Sequence, residues 1–218
     1  MKKNLLLMMA AIAAGCIFLL SGCGSDDDEQ QKDMLQPVIS EDIAGAISSV
    51  SVSVGNELTI NTAKYFDTEM MHYTPVNSNA GNVEGVMIEY RVKPTAGVTF
   101  QPTQIDYAAV KVGTDNATYS WSYTIDGVES NITEIEPKAD LLRNNGSNSN
   151  TAKLMHTETF EGVGECNEFT FRFYISKTAN NKNICIGNVT ISGIVNGEAV
   201  NVNMYELATV VAPEGAGS

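Results

Sequence analysis

Three aromatic residues at every second position, Tyr119, Trp121 and Tyr123 in TYSWSYT, are the most suggestive spacing in this chain. In a strand their rings stand on one face. An exposed aromatic row is a platform for a sugar, whose axial C–H bonds pack on the rings while nearby Asn, Asp or Arg side chains bond its hydroxyls. The other parity of the segment is Thr118, Ser120, Ser122 and Thr124. A sandwich turns such hydroxyl residues to water, so the alternation places the rings in the core layer ahead of a surface platform. With the rings inside, ligand contacts move to the loops. The polar loop residues are Asn77, Asn79, Asn82, Arg143, Asn144, Asn145, Asn148, Asn180, Asn181 and Lys182, with Tyr65, Phe66 and Tyr73 nearby. Asn also populates loops because it tolerates left-handed backbone and caps its own turns.

Bond-breaking chemistry finds little support. Nucleophilic catalysis needs a histidine base held by a third group, and the two histidines are His72, among apolar neighbours in MMHY, and His156 in LMHT. Neither has a nucleophile beside it in sequence, and both read as packed residues. Glycoside hydrolysis needs two carboxylates facing one cleft; with 26 acidic residues their abundance alone carries no signal. No hydrolase, zinc-peptidase or nucleotide-binding fingerprint is present. The expectation is a non-enzyme without a cofactor.

A structural calcium ion is the one metal the pattern allows, with Asp115 and Asn116 after Gly113 and Asp126 before Gly127 as oxygen donors; ordinary turn chemistry explains the same residues. Cys166 and Cys185 lack zinc-ligand spacing. If 167–177 and 183–195 form a hairpin around 178–182, Cys166 lies opposite residue 194, beyond the ~7 Å Cα limit for a bridge to Cys185. Two free, buried thiols are expected.

The elements that carry these residues alternate with period two. Val86, Ile88, Tyr90 and Val92 alternate with Met87, Glu89, Arg91 and Lys93, and Phe169, Phe171, Phe173 and Ile175 with Thr170, Arg172, Tyr174 and Ser176. Turn clusters separate such runs. Strands are expected at 47–54, 57–62, 86–93, 98–101, 104–113, 118–126, 130–136, 153–160, 167–176, 183–195 and 199–206, with a short helix at 40–44. Many short strands without helical periodicity predict an all-β, antiparallel two-sheet β-sandwich of jelly-roll type. Ile184 and Ile186 share one parity while Val189, Ile191 and Val195 share the other, which predicts a β-bulge near Gly187-Asn188.

The first residues carry Lys2 and Lys3, an apolar run shorter than the ~20 residues of a membrane span, and Leu20-Ser21-Gly22-Cys23. This resembles the bacterial lipobox, which implies a signal peptide over 1–22 and acylation (palmitate) of Cys23; Cys16 is a weaker second candidate. The following Gly24-Ser25-Asp26-Asp27-Asp28-Glu29 reads as a solvated tether and resembles the acidic export signal of Bacteroidetes lipoproteins, which implies the outer face of the outer membrane. A tether over 23–40, one domain over 41–212 and a flexible tail over 213–218 complete the expected organisation. The chain carries a formal charge of −13, and loss of the two leader lysines makes it more acidic still. Such a surface repels phosphate backbones, so nucleic acid is excluded as a partner.

The stretches Val98-Thr99-Phe100-Gln101-Pro102-Thr103, Lys111-Val112-Gly113-Thr114-Asp115 and Asn183 through Gly193 look like β-sandwich modules of Bacteroides surface lipoproteins that accompany polysaccharide-processing enzymes. The resemblance implies a lipid-anchored, non-catalytic cell-surface protein with a carbohydrate-binding-like sandwich and a polysaccharide partner. The alternative is a structural or adhesive surface component recognising protein, which requires an exposed apolar patch or a long unpaired edge strand; the third class is a polysaccharide-active hydrolase or lyase.

Overall fold

A computed structural model describes residues 37, 39–76, 84–113, 117–130, 133–134, 141–146, 151–177 and 183–204. Cys23, Asp115, Asn116, Asn180 and Asn181 lie outside them, as do Asn77, Asn79, Asn82, Asn148 and Lys182. The strands are β1 (Ile47–Val54), β2 (Leu58–Tyr65), β3 (Thr68–Pro75), β4 (Met87–Pro94), β5 (Gln101–Val112), β6 (Ala117–Ile125), β7 (Val128–Glu129), β8 (Thr133–Glu134), β9 (Leu142–Arg143), β10 (Met155–Thr159), β11 (Phe169–Lys177), β12 (Asn183–Val195) and β13 (Glu198–Asn203). Among the described residues there is no α-helix, and a single 3-10 turn covers Glu84–Val86.

The strands form two sheets of an all-β sandwich. Sheet A runs β1-β4-β11-β6-β7, with β8 also on β6. Sheet B runs β10-β5-β12-β3-β2, with β13 on β12 and β9 on β5. Alternation decides which residues lie between them. On β11, Phe169, Phe171, Phe173 and Ile175 are fully buried, and the register sets Phe171 between Tyr90 and Tyr123, and Phe173 between Ile88 and Trp121. Sheet B answers with Ile105, Tyr107, Ala109, Ile184, Ile186 and Ile191, all buried in the same cluster. Phe173 is the hub: its ring centroid lies 4.8 Å from Tyr107, 4.9 Å from Phe171, 5.3 Å from Tyr119 and 6.0 Å from Tyr90, all near edge-to-face.

The bulge in β12 is where alternation placed it, with the register against β5 shifting between Gly187 and Thr190. Two residues share the work. Asn188 takes the left-handed conformation (φ 50°), and Gly187 admits the neighbouring strand, because a Cβ there would sit 2.5 Å from the Glu69 carbonyl oxygen.

Several expectations are corrected. Residues 167–177 and 183–195 do not form a hairpin: β11 belongs to sheet A and β12 to sheet B. The thiols are free and buried nonetheless. Cys166 is tied to Phe100 by two backbone hydrogen bonds (2.9 and 2.8 Å), whereas Cys185 sits between His72 and Val110 on sheet B. The helix at 40–44 is a turn in which the Ile43 N–H donates to the Ser40 carbonyl (3.1 Å) and Ile43 plugs the core. Of the expected strand 98–101 only Gln101 is strand, at the start of β5, while Phe100 forms an isolated bridge to Cys166; within 130–136 the described strand is β8, and β7 precedes that range. β3 was not expected, since TEMMHYTP does not alternate. The reason is that both of its faces are covered: Met71 and Tyr73 enter the main core, while Met70 joins Ala108, Val110 and Cys185 in a second cluster on the far side of sheet B.

Burial pushes the Cys185 thiol up to about 12 and the Cys166 thiol up to about 11, the latter with help from the negative Asp126. Neither is a thiolate at neutral pH. A disulfide-exchange reagent at pH 8 is therefore expected to label neither in the folded protein and both after unfolding in guanidinium; rapid labelling of the native state contradicts this packing. His72 gives a second titration. Burial lowers its pKa below the ordinary imidazole value of about 6.5, so the folded state holds it neutral while the unfolded chain protonates first. Stability is complete above pH 6.5 and declines as pH falls below it. Replacement by Gln should flatten that limb of the pH–stability profile.

Candidate functional site

The aromatic row of β6 is not a surface. Tyr119 and Trp121 are 1% and 8% exposed and lie in the main core, with half-buried Tyr123 packed against them. Trp121 stacks on Phe171 (5.5 Å, 27°), and Tyr123 meets Phe160 edge-on (5.1 Å). The Tyr119 hydroxyl pairs with that of Tyr107 (2.9 Å), which donates to Glu158 Oε1 (3.0 Å) at the margin of the sandwich. His156 stacks on Tyr107 (5.4 Å, 17°). Tyr119, Trp121 and Tyr123 are therefore core residues, as the alternation favours, and not a surface platform: inter-sheet packing takes the rings of Tyr119 and Trp121 and half-buries that of Tyr123.

The opposite face of β6 departs from expectation. Ser120, Ser122 and Thr124 are 7%, 0% and 7% exposed, although they point away from the core, and Thr170 beside them on β11 is 1% exposed. Long polar side chains from β4, β11 and β7 cover them. In register, Arg91, Thr170, Thr124 and Glu129 form one row across the sheet, and Glu89, Arg172 and Ser122 the next. Glu89 is the hinge of the arrangement, accepting from Arg91 Nη2 at 2.7 Å and from Arg172 Nε at 2.9 Å. Arg172 Nη1 lies 3.7 Å from Glu129 Oε1, which also takes the Ser122 hydroxyl at 3.0 Å. At the other end Glu168 stands 3.7 Å from Arg91 and 4.0 Å from Lys93. Lys93, Glu168, Arg91, Glu89, Arg172 and Glu129 therefore alternate in sign along one chain of ion pairs. Tyr174 packs into it, 7% exposed, within 3.4 Å of both Ser122 and Glu129, and burial raises its phenol above the ordinary range.

The chain of charges adjoins a cleft. Ser53 and Met87, whose neighbours in register are Glu89 and Tyr174, form one wall of a space of about 550 Å³ completed by Val54, Gly55, Asn56, Glu57, Glu84 and Gly85. Gly55 lets the two sides close: a Cβ there would fall 2.3 Å from the Glu84 carbonyl oxygen. Together they offer a rigid face rich in forked donors and carboxylate acceptors beside a recess of small-ligand size.

The other sequence candidates disperse. Asn144, half-buried, and Asn145, exposed, follow β9 on sheet B, where the Asn144 N–H donates to the Lys111 carbonyl (3.1 Å). Tyr65 is half-buried in the second cluster, Tyr73 is buried in the main core, and Phe66 is exposed at the β2–β3 turn. Asp126 is a cap: its Oδ1 accepts the N–H groups of Asn167 (2.8 Å) and Glu168 (2.9 Å). Asp115 and Asn116, the other two candidate calcium donors, lie outside the described residues. Among the described residues no group of three His, Cys, Asp or Glu could hold a metal. The outer face of sheet A has a sequence signal: charged residues at period two on β4, Glu89, Arg91 and Lys93, with Arg172 on the outward parity of β11.

The chain matches no protein-family model and no curated protein. Among solved structures it is similar to the enzymatically active domain of bacteriophage CBA120 tailspike protein 4 (12% identity over 70% of this chain and 20% of that one, TM-score 0.34). It is also similar to CpGH89CBM32-6 from Clostridium perfringens (15% identity, 64% and 95% coverage, TM-score 0.29) and to TmCBM61 in complex with β-1,4-galactotriose (8% identity, 67% and 89% coverage, TM-score 0.34). The chain spans a fifth of the tailspike structure. Likenesses this loose carry no argument about its function.

Proposed function

We propose that this protein is a non-catalytic, lipid-anchored component of the cell surface whose sandwich binds a neutral glycan on the outer face of sheet A. The observation that carries the reading is the alternating chain through Arg91, Glu89 and Arg172, adjoining the cleft between Ser53 and Glu84. Sugar hydroxyls need donors and acceptors held at fixed spacing, and guanidinium and carboxylate groups that fix each other supply both without an ordering cost at binding. The six groups balance in charge, while the chain as a whole is strongly acidic, which disfavours polyanionic polysaccharides. A glycosidase acid needs a carboxyl withdrawn from water. Glu57 and Glu84, the two carboxylates at the cleft, are both exposed, and this supports binding without hydrolysis. The lipobox-like Leu20-Ser21-Gly22-Cys23 and the acidic stretch after it support the anchored, outward-facing location.

Affinity electrophoresis through gels cast with neutral plant and host polysaccharides tests the binding. At least one should retard the chain that begins after Cys23, and Arg91→Ala, whose side chain is 43% exposed, should weaken that retardation about tenfold with little change in stability. Phe66→Ala on the distant turn should change nothing. Retardation by none of them refutes the proposal. For the anchor, Cys23→Ser in a bacterial host should abolish both palmitate labelling and recovery with the membrane fraction.

A further inference from the structure

An edge strand presents a row of unpaired N–H and C=O groups, which proteins blunt with charge, proline, bulges or shortness. Most edges here are blunted. In sheet B, β10 turns Glu158 toward Tyr107, β2 carries Lys64 and β13 carries Glu198. The far side of sheet A ends in β7 and β8, two residues each. β1 differs. Its eight residues, ISSVSVSV, include no charge and no proline, the one irregularity in its pairing with β4 lies at its start between Ile47 and Ser49, the register runs unbroken from Ser49 to Val54, and β4 is its only partner among the described residues. Ser49, Ser51 and Ser53 share the outer face with Lys93, Arg91 and Glu89. Val50, Val52 and Val54 lie at the margin of the core, packed on it from one side and half-exposed.

We propose that β1 is a homodimer interface: β1 of a second copy adds to it antiparallel about a two-fold axis through Ser51, joining two copies of sheet A into one sheet. The strand is complementary to itself. With the axis at Ser51, Ser49 faces Ser53 of the partner subunit on the outer side, and Val50 faces the partner's Val52 on the inner side. A one-residue slip would set valine against serine on the wrong face. The small Ser51 side chains meet at the axis without a clash, and the margin valines of each copy cover those of the other. Charge selects the same surface. Two copies of a chain with a net charge of −13 repel each other, and β1 is a long edge where no charge must be brought together. The union also sets two charged outer faces side by side. This last consequence rests on the glycan reading: one long polysaccharide would then engage both faces and gain from effective concentration.

Sedimentation equilibrium of the chain beginning after Cys23 tests the interface independently of any glycan. A dimer is expected at about 100 µM, and Ser51→Lys, which opposes two charges at the axis yet points to solvent in the monomer, should be monomeric with an unchanged circular dichroism spectrum. Opposed residues in antiparallel pairs have Cα atoms about 5 Å apart, inside the disulfide range. Oxidation should therefore cross-link Ser51→Cys through itself. Ser53→Cys should not cross-link, its two copies being about 13 Å apart along the strands. A wild-type chain that stays monomeric at about 1 mM, or equal cross-linking of the two cysteine variants, overturns the proposal. So does a dimer that forms only after residues 205–218 are removed, because the edge would then belong to the chain's own tail.

Discussion

Phe173→Ala is expected to cost about 4 kcal/mol of folding stability, the largest loss of any single side chain in the core. The ring is fully buried and meets Tyr90, Tyr107, Tyr119 and Phe171, so it joins β4 and β6 of sheet A to β5 of sheet B. Truncation removes its transfer free energy and leaves a cavity walled by rings on strands of two sheets, which cannot collapse without moving a layer. The midpoint of thermal unfolding should fall by about 12 °C. Phe173→Leu, which keeps most of the volume, should lose about 1.5 kcal/mol. Urea denaturation of the three proteins measures both differences. A loss below about 1 kcal/mol for the alanine variant would mean that the two sheets are not packed through this ring.

Glu89→Ala is expected to cost about 3 kcal/mol, a large effect for a residue on the outer face of a sheet. Ordinary surface ion pairs contribute far less. The difference is burial: the Glu89 and Arg172 side chains are 11% and 18% exposed, and removal of the carboxylate leaves two guanidinium groups converging on an empty position. The value sits at the lower end for a broken buried pair because Arg91, 43% exposed, can turn to water. The double variant Glu89→Met/Arg172→Met removes both charges and fills the space, and should recover most of the loss. A double-mutant cycle in chemical denaturation separates these terms. If Glu89→Ala costs no more than about 0.5 kcal/mol, the ion-pair chain is a loose surface decoration and cannot serve as a preorganised binding face.

The two halves of the site were unequally legible. Period-two charges on β4 and the polar parity of β11 mark an outer face in the sequence, because strand parity alone puts Glu89 with Arg91 and Arg172 with Tyr174. The convergence of those strands was not legible: β4 and β11 lie far apart in the chain and become neighbours only through sheet order. The same holds for Glu129, which enters through the two-residue β7. Ser122 shows the limit from the other side. Its parity correctly points it away from the core, yet it is fully buried, since arginine and glutamate side chains from adjacent strands close over it. β3 failed to register because a strand covered on both faces loses the alternation by which strands are recognised.

Composition and alternation by themselves determined an all-β sandwich, the inward sets of β4 and β11 and the bulge at Gly187-Asn188, because each depends on which way successive Cβ atoms point. Tertiary structure alone decided which strands share a sheet, and with that the assignment of β11 and β12 to opposite layers, the consumption of the β6 rings by the core, and the assembly of the charged face and its cleft. These depend on pairing between distant segments, which the local pattern of one strand cannot encode.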